Sequence, residues 1–107
     1  MMISFEDFKR LDIRVAKILK VSDHPNADKL HVLRVDWGDG EKTLVAGIKG
    51  SYRKEDLIDR QIIVLVNLEP ANIRGVNSEG MLLACQDEEG ISLISPDRKV
   101  KLGSQIR

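Results

Sequence analysis

Asp12-Ile-Arg-Val-Ala-Lys-Ile-Leu-Lys-Val21 is the stretch on which the fold turns. Ile13, Val15, Leu19 and Val21 alternate along it while Lys17 interrupts the series, which reads as one long strand that bends partway. Just upstream, Ser4 is placed to cap a short helix. Glu6 and Asp7 suit its first turn, and Phe5, Phe8 and Leu11 share one face. Downstream, His24-Pro-Asn-Ala-Asp-Lys29 is a loop by its Pro, Asn and Asp content.

The next run switches phase. Leu30 and Val32 are apolar at even positions, Leu33, Val35 and Trp37 at odd ones, so a β-bulge is predicted near Val32–Leu33. Gly38-Asp-Gly40 turns the chain into a strand over Lys42–Ala46. Residues 47–60 are irregular with one helical turn at Lys54–Ile58. Gln61-Ile-Ile-Val-Leu-Val66 is a continuous apolar run, as in a strand buried on both sides. Two short strands follow at Gly80–Cys85 and Ile91–Ile94, joined by an acidic turn. The expectation is an all-β, five-stranded OB-fold, a Greek-key β-barrel with short helices, occupying residues 1–107 as one domain. An SH3-like barrel fits the strand count nearly as well, and pattern alone does not separate the two.

Apolar residues make up 42% and charged residues 32%, which places the chain among folded globular proteins. No apolar run approaches the about 18–20 residues that span a bilayer. The N-terminus lacks the basic and apolar regions of a secretory signal, and the lone Cys85 has no partner for an internal disulfide. A cytoplasmic protein with no membrane partner is expected. Seventeen Lys and Arg balance seventeen Asp and Glu, so any nucleic-acid site must come from local segregation of charge, with modest, salt-sensitive affinity.

Catalytic chemistry is not legible. His24 and His31 lie on a loop and a strand, far in sequence from Cys85, and no pair has zinc-ligand spacing. Phosphate-loop and dinucleotide patterns are missing, and Ser78 lacks a G-x-S-x-G context. The chain is read as no enzyme, with no metal and no cofactor. A binding surface is instead marked by Asn67-Leu-Glu-Pro-Ala-Asn-Ile-Arg-Gly-Val-Asn-Ser-Glu-Gly-Met-Leu-Leu-Ala84, where Asn67, Asn72, Arg74, Asn77 and Ser78 gather around two glycines and a proline. Arg74 is the best phosphate or base contact, because its planar fork keeps its charge. Asn77 and Ser78 can bond a sugar or base edge, Asn67 can face a ligand or tie down the loop, and Met81 offers a polarizable surface to a base. Lys29, at the exit of the His24 loop, can reach a phosphate, while Pro25, Asn26 and Asp28 suit turns within that loop. Only Trp37 and Tyr52 could stack bases outside the N-terminal helix, which favours recognition of RNA shape and backbone over single-stranded sequence.

Five motifs in order carry a resemblance. They are Asp12-Ile-Arg-Val15, His24-Pro-Asn-Ala-Asp-Lys-Leu30, Val35-Asp-Trp-Gly38, Asn67-Leu-Glu-Pro70 and Arg74-Gly-Val-Asn-Ser-Glu-Gly-Met81. Over nearly its whole length the chain resembles the tRNA-binding domain family of aminoacyl-tRNA synthetases. Phe5–Phe8, Ala46–Tyr52 and Leu93–Asp97 look like the branch at the C-terminus, or beta subunit, of methionyl-tRNA synthetase. The resemblance implies an OB-fold that binds tRNA without regard to sequence and raises the tRNA affinity of the catalytic part of methionyl-tRNA synthetase. It also implies a homodimer, since there is no room for the extra domain that mimics a second subunit in related proteins. The apolar side of the N-terminal helix and neighbouring loops is the expected dimer surface. The family usually carries lysines where this chain has Glu69 and Asn72, which predicts weak binding by the module alone. A peptide-binding, chaperone-like dimer of the same family is the alternative reading, and an architectural docking module a third.

Overall fold

The computed structural model describes residues 1–107. Along the chain run α1 (Phe5–Lys9), β1 (Ile13–Asp23), β2 (His31–Asp36), β3 (Glu41–Ala46), α2 (Lys54–Leu57), β4 (Gln61–Leu65), β5 (Ala71–Ile73), β6 (Val76–Ser78), β7 (Met81–Leu82), β8 (Ala84–Asp87) and β9 (Gly90–Leu93). The Ser4 side chain caps α1 by accepting from the Asp7 amide at 3.1 Å. No helix is long and apolar enough to cross a membrane.

An antiparallel sheet runs in the order β3-β2-β1-β4-β7. It bends until its edges meet: the Glu79 amide donates to the Thr43 carbonyl at 2.8 Å, and the Val45 amide to Ser78 Oγ at 3.0 Å. The order 1-2-3-7-4-1, with α2 between β3 and β4, is that of a nearly closed five-stranded OB barrel. Strand β1 makes this possible. Its first half pairs with β4, from Ile13↔Leu65 to Lys17↔Gln61, and its second half with β2, from Lys17↔Asp36 to Asp23↔His31.

The bulge lies in β1, between Ile18 and Lys20, and not in β2. Before it, Ala16 and Ile18 face the main core from even positions; after it, Val21 faces the same core from an odd one. An inserted residue, Leu19, produces this change of parity and bends the strand. In β2 the alternation is unbroken, with His31, Leu33 and Val35 buried. Histidine stands at an inward position because its Nε2–H donates to the Tyr52 carbonyl at 2.9 Å, leaving Nδ1 without a partner.

Strand β4 is buried on both sides as its composition predicts. Ile62 and Val64 enter the main core, while Ile63 joins Ile13 and Val15 in a second cluster with Phe8, Leu83 and Ile106. The expected strand at Gly80–Cys85 is broken into β7 and β8, and the expected Ile91–Ile94 strand is β9, the partner of β8. Residues 103–106 complete the second cluster. The Val15 amide donates to the Ser104 carbonyl at 2.9 Å, and the Gly103 and Ile106 amides donate to Val15 and Ile13 at 2.8 Å. Glycine is required where this tail crosses the β2–β3 turn: a Cβ on Gly38 would lie 2.6 Å from the Leu102 oxygen.

Candidate nucleic-acid interface

Strands β5 and β6 form a small hairpin with Ile73 opposite Val76 and Asn72 opposite Asn77. Its two turn residues, Arg74 at φ 52° and Gly75 at φ 98°, both lie in the left-handed region, as a type I′ turn demands. Asn-Gly is the favoured pair at such a turn, so arginine stands there against backbone preference. The Asn72 side chain steadies the turn by accepting from the Gly75 amide at 2.9 Å. Arg74 is exposed, and its guanidinium forms no ion pair or hydrogen bond. Asn77 is exposed on the same hairpin.

The loop between β1 and β2 packs beneath this tip. His24 is 5% exposed. Its Nδ1 accepts from the Asn26 amide at 2.9 Å and its Nε2–H donates to the Ile73 carbonyl at 2.8 Å, so the partners select the Nε2–H tautomer. Asn26 Nδ2 donates to the Arg74 carbonyl at 3.0 Å. Ala27, Asp28, Lys29 and Leu30 then line, with Arg74, a shallow cleft of about 360 Å³. Lys29 is exposed and has no salt-bridge partner, so two uncommitted cations flank one opening. The neighbouring lysines 49 and 54 are committed: both sit 3.0 Å from Asp23 and hold its carboxyl below the usual carboxylate range.

The remaining predicted residues are placed elsewhere or spent on the scaffold. Ser78 is 4% exposed; its hydroxyl accepts from Val45 and donates to the Gly80 carbonyl at 3.1 Å. Asn67 accepts from the Asp12 amide and donates to the Arg10 carbonyl, both at 2.8 Å, which fixes the end of α1 to the end of β4. Met81 lines a different, apolar groove of about 330 Å³ with Val45–Ile48, Leu82–Gln86 and Ile91. Trp37 and Tyr52 are half-buried against the core. Lys42 lies over the Trp37 ring, Arg60 covers the Tyr52 ring, and the Tyr52 hydroxyl accepts from the Leu93 amide at 3.0 Å, so neither ring is a free stacking platform. Asn26, read from sequence as an intraloop turn residue, reaches the other loop instead. Its spacing from Arg74 gives no sequence signal of that pairing.

The family model described as "Putative tRNA binding domain" matches residues 13–105. The methionine–tRNA ligase of Pyrococcus abyssi is 53% identical over 107 residues, which cover all of this chain and 15% of the ligase. The chain thus spans about 15% of the length of the curated relatives it matches. Among solved structures, a CsaA chaperone protein from Picrophilus torridus superposes with a TM-score of 0.91 at 37% identity, covering 99% of this chain and 100% of that one. A MetRS-related protein from Pyrococcus horikoshii superposes at 0.92 with 30% identity, covering 100% and 99%.

Proposed function

Since the chain belongs to the tRNA-binding domain family, we propose that residues 1–107 form a non-catalytic, cytoplasmic module that binds tRNA without sequence preference and augments a methionyl-tRNA synthetase. The observation that carries this reading is the free guanidinium of Arg74 on a strained turn beside the unpaired Lys29. In it, Arg74 and Lys29 hold phosphates of the folded RNA, and the exposed amides of Asn72 and Asn77 contact the sugar–phosphate backbone. Asn67 and Ser78 act by fixing the scaffold. With zero net charge and an exposed Glu69 nearby in sequence, one module binds weakly. Its contribution comes from raising the effective concentration of tRNA at a catalytic partner.

The same reading includes a homodimer. Ile3, Phe5 and Leu11 are 63%, 70% and 42% exposed, and Phe5, Phe8, Leu11 and Ile106 line a common groove. An apolar face of this kind is what a second copy would cover. Anisotropy titration of tRNA at two salt concentrations tests the RNA site. Removing Lys29 or Arg74 should weaken binding and lower the salt slope by about one each. Undiminished affinity in the double alanine variant would sink the assignment.

The apolar groove at Met81 favours a second reading, peptide binding, in line with the likeness to a chaperone over the full length of both chains. Suppression of client aggregation that is lost in Met81→Asp, in a protein without tRNA affinity, would establish that reading over the first.

A further inference from the structure

Resting on the RNA reading of the cleft, we propose that His24 and Asn26 are positioning residues, which clamp the β5–β6 turn so that the backbone from which the Arg74 side chain springs is held against the Lys29 loop. Two consecutive carbonyls of the hairpin, Ile73 and Arg74, are each gripped from the other loop, by His24 Nε2–H at 2.8 Å and by Asn26 Nδ2 at 3.0 Å. The two grips are coupled, because the Asn26 amide donates to His24 Nδ1 at 2.9 Å. The loop that supplies them is itself closed by the His24 amide on the Leu30 carbonyl at 3.2 Å.

The geometry gives the clamp a task. A hairpin of three residues per strand is too short to hold its own turn rigidly. Arginine at φ 52° also lacks the backbone preference of the asparagine usual there. Left alone, the turn would sample other conformations, and the free guanidinium would sweep a wide volume. Binding would then carry the entropy of ordering it. Asn26 Nδ2 fixes the peptide plane that follows Arg74 Cα. Gly75 suits this packing, since a Cβ there would come within 3.3 Å of Asn26 Nδ2. The Lys29 side chain leaves the same loop three residues after Asn26, so one rigid body carries both cations. The points from which the two cations reach toward a phosphate are therefore set by His24 and Asn26, which need not touch the RNA.

Asn26→Ala is the decisive variant, because Asn26 is exposed and its backbone bond to His24 survives. Amide hydrogen exchange at Arg74–Val76 should accelerate while global unfolding stays near wild type. Unchanged exchange would overturn the clamp without reference to RNA. Binding of tRNA should weaken by about three- to tenfold, and a double-mutant cycle separates positioning from contact. In an Arg74→Ala background, Asn26→Ala should cost little more. Full additivity would make Asn26 a direct RNA contact and overturn the positioning role. If Arg74→Ala lowers affinity and Asn26→Ala does not, the clamp fails and the RNA site stands. If neither Arg74→Ala nor Lys29→Ala matters, the RNA site itself fails.

Discussion

The Ser78 hydroxyl sits where the barrel wall closes, accepting from Val45 and donating to Gly80. Ser78→Ala would leave a buried amide without its partner and should cost about 1–3 kcal/mol. A lower urea midpoint with unchanged slope would show it, and tRNA affinity measured well below melting should hold. Arg74 calls for the opposite pattern. Replacing it with Asn relieves a left-handed backbone and should raise stability by about 1 kcal/mol while weakening tRNA binding. An Arg74→Asn protein that is both less stable and equally tight in binding would contradict this account. Arg74 and Lys29 stand out in the sequence as candidates because each is a cation in a polar loop, and the structure places both on one cleft. The role of Ser78 is not legible there, since a hydroxyl looks the same in sequence whether it meets RNA or a neighbouring strand.

At the level of elements, β4 is readable because Ile62, Ile63 and Val64 leave no polar face. The bulge is displaced by one strand for a definite reason. Counting apolar residues makes Leu30 and Val32 a face, whereas the inward series is His31, Leu33 and Val35, with histidine held by a carbonyl that only the folded chain supplies. The β5–β6 hairpin is hidden by its arginine, which masks an Asn-Gly-like turn. Elements also meet through charge: Asp23 at the end of β1 joins Lys49 and Lys54, the latter in α2. Its carboxyl is lowered first by the bond from Lys49 and then by that from Lys54. The stabilisation is therefore present above the ordinary carboxylate value of about 3.9 and lost as pH falls through the depressed folded value. Asp23→Asn should be less stable than wild type at neutral pH, with the gap closing under acid and in high salt. A gap independent of pH would refute the electrostatic origin.

Across the whole molecule seventeen cations balance seventeen acids, and Lys29 and Arg74, neither of them in an ion pair, meet at one cleft with Asp28 on its lining. Glu69 is exposed in the segment that leads into the hairpin. Glu69→Lys should tighten tRNA binding and steepen its salt dependence by up to about one counterion. Titration at several salt concentrations checks both, and a flat response would place the RNA away from this corner. The strand pattern foretells the barrel class. It does not foretell which loops converge, because that depends on the closure of β3 against residues 78–79.

The seam between β1 and residues 103–106 bears on how the chain is made. Ile13 and Val15 find backbone partners in Ile106 and Ser104, which are synthesised much later. Half of the longest strand must therefore stay unpaired on that edge until synthesis has passed residue 106, however early the β1–β2–β3 meander forms. Loop closure over so long a span is slow compared with local hairpins. A ribosome that pauses before Gly103 emerges would hold out a barrel with an open apolar flank, with Ile13, Val15 and Ile63 exposed to whatever is nearby. The vulnerable interval for this barrel is the one before residues 103–106 are in place.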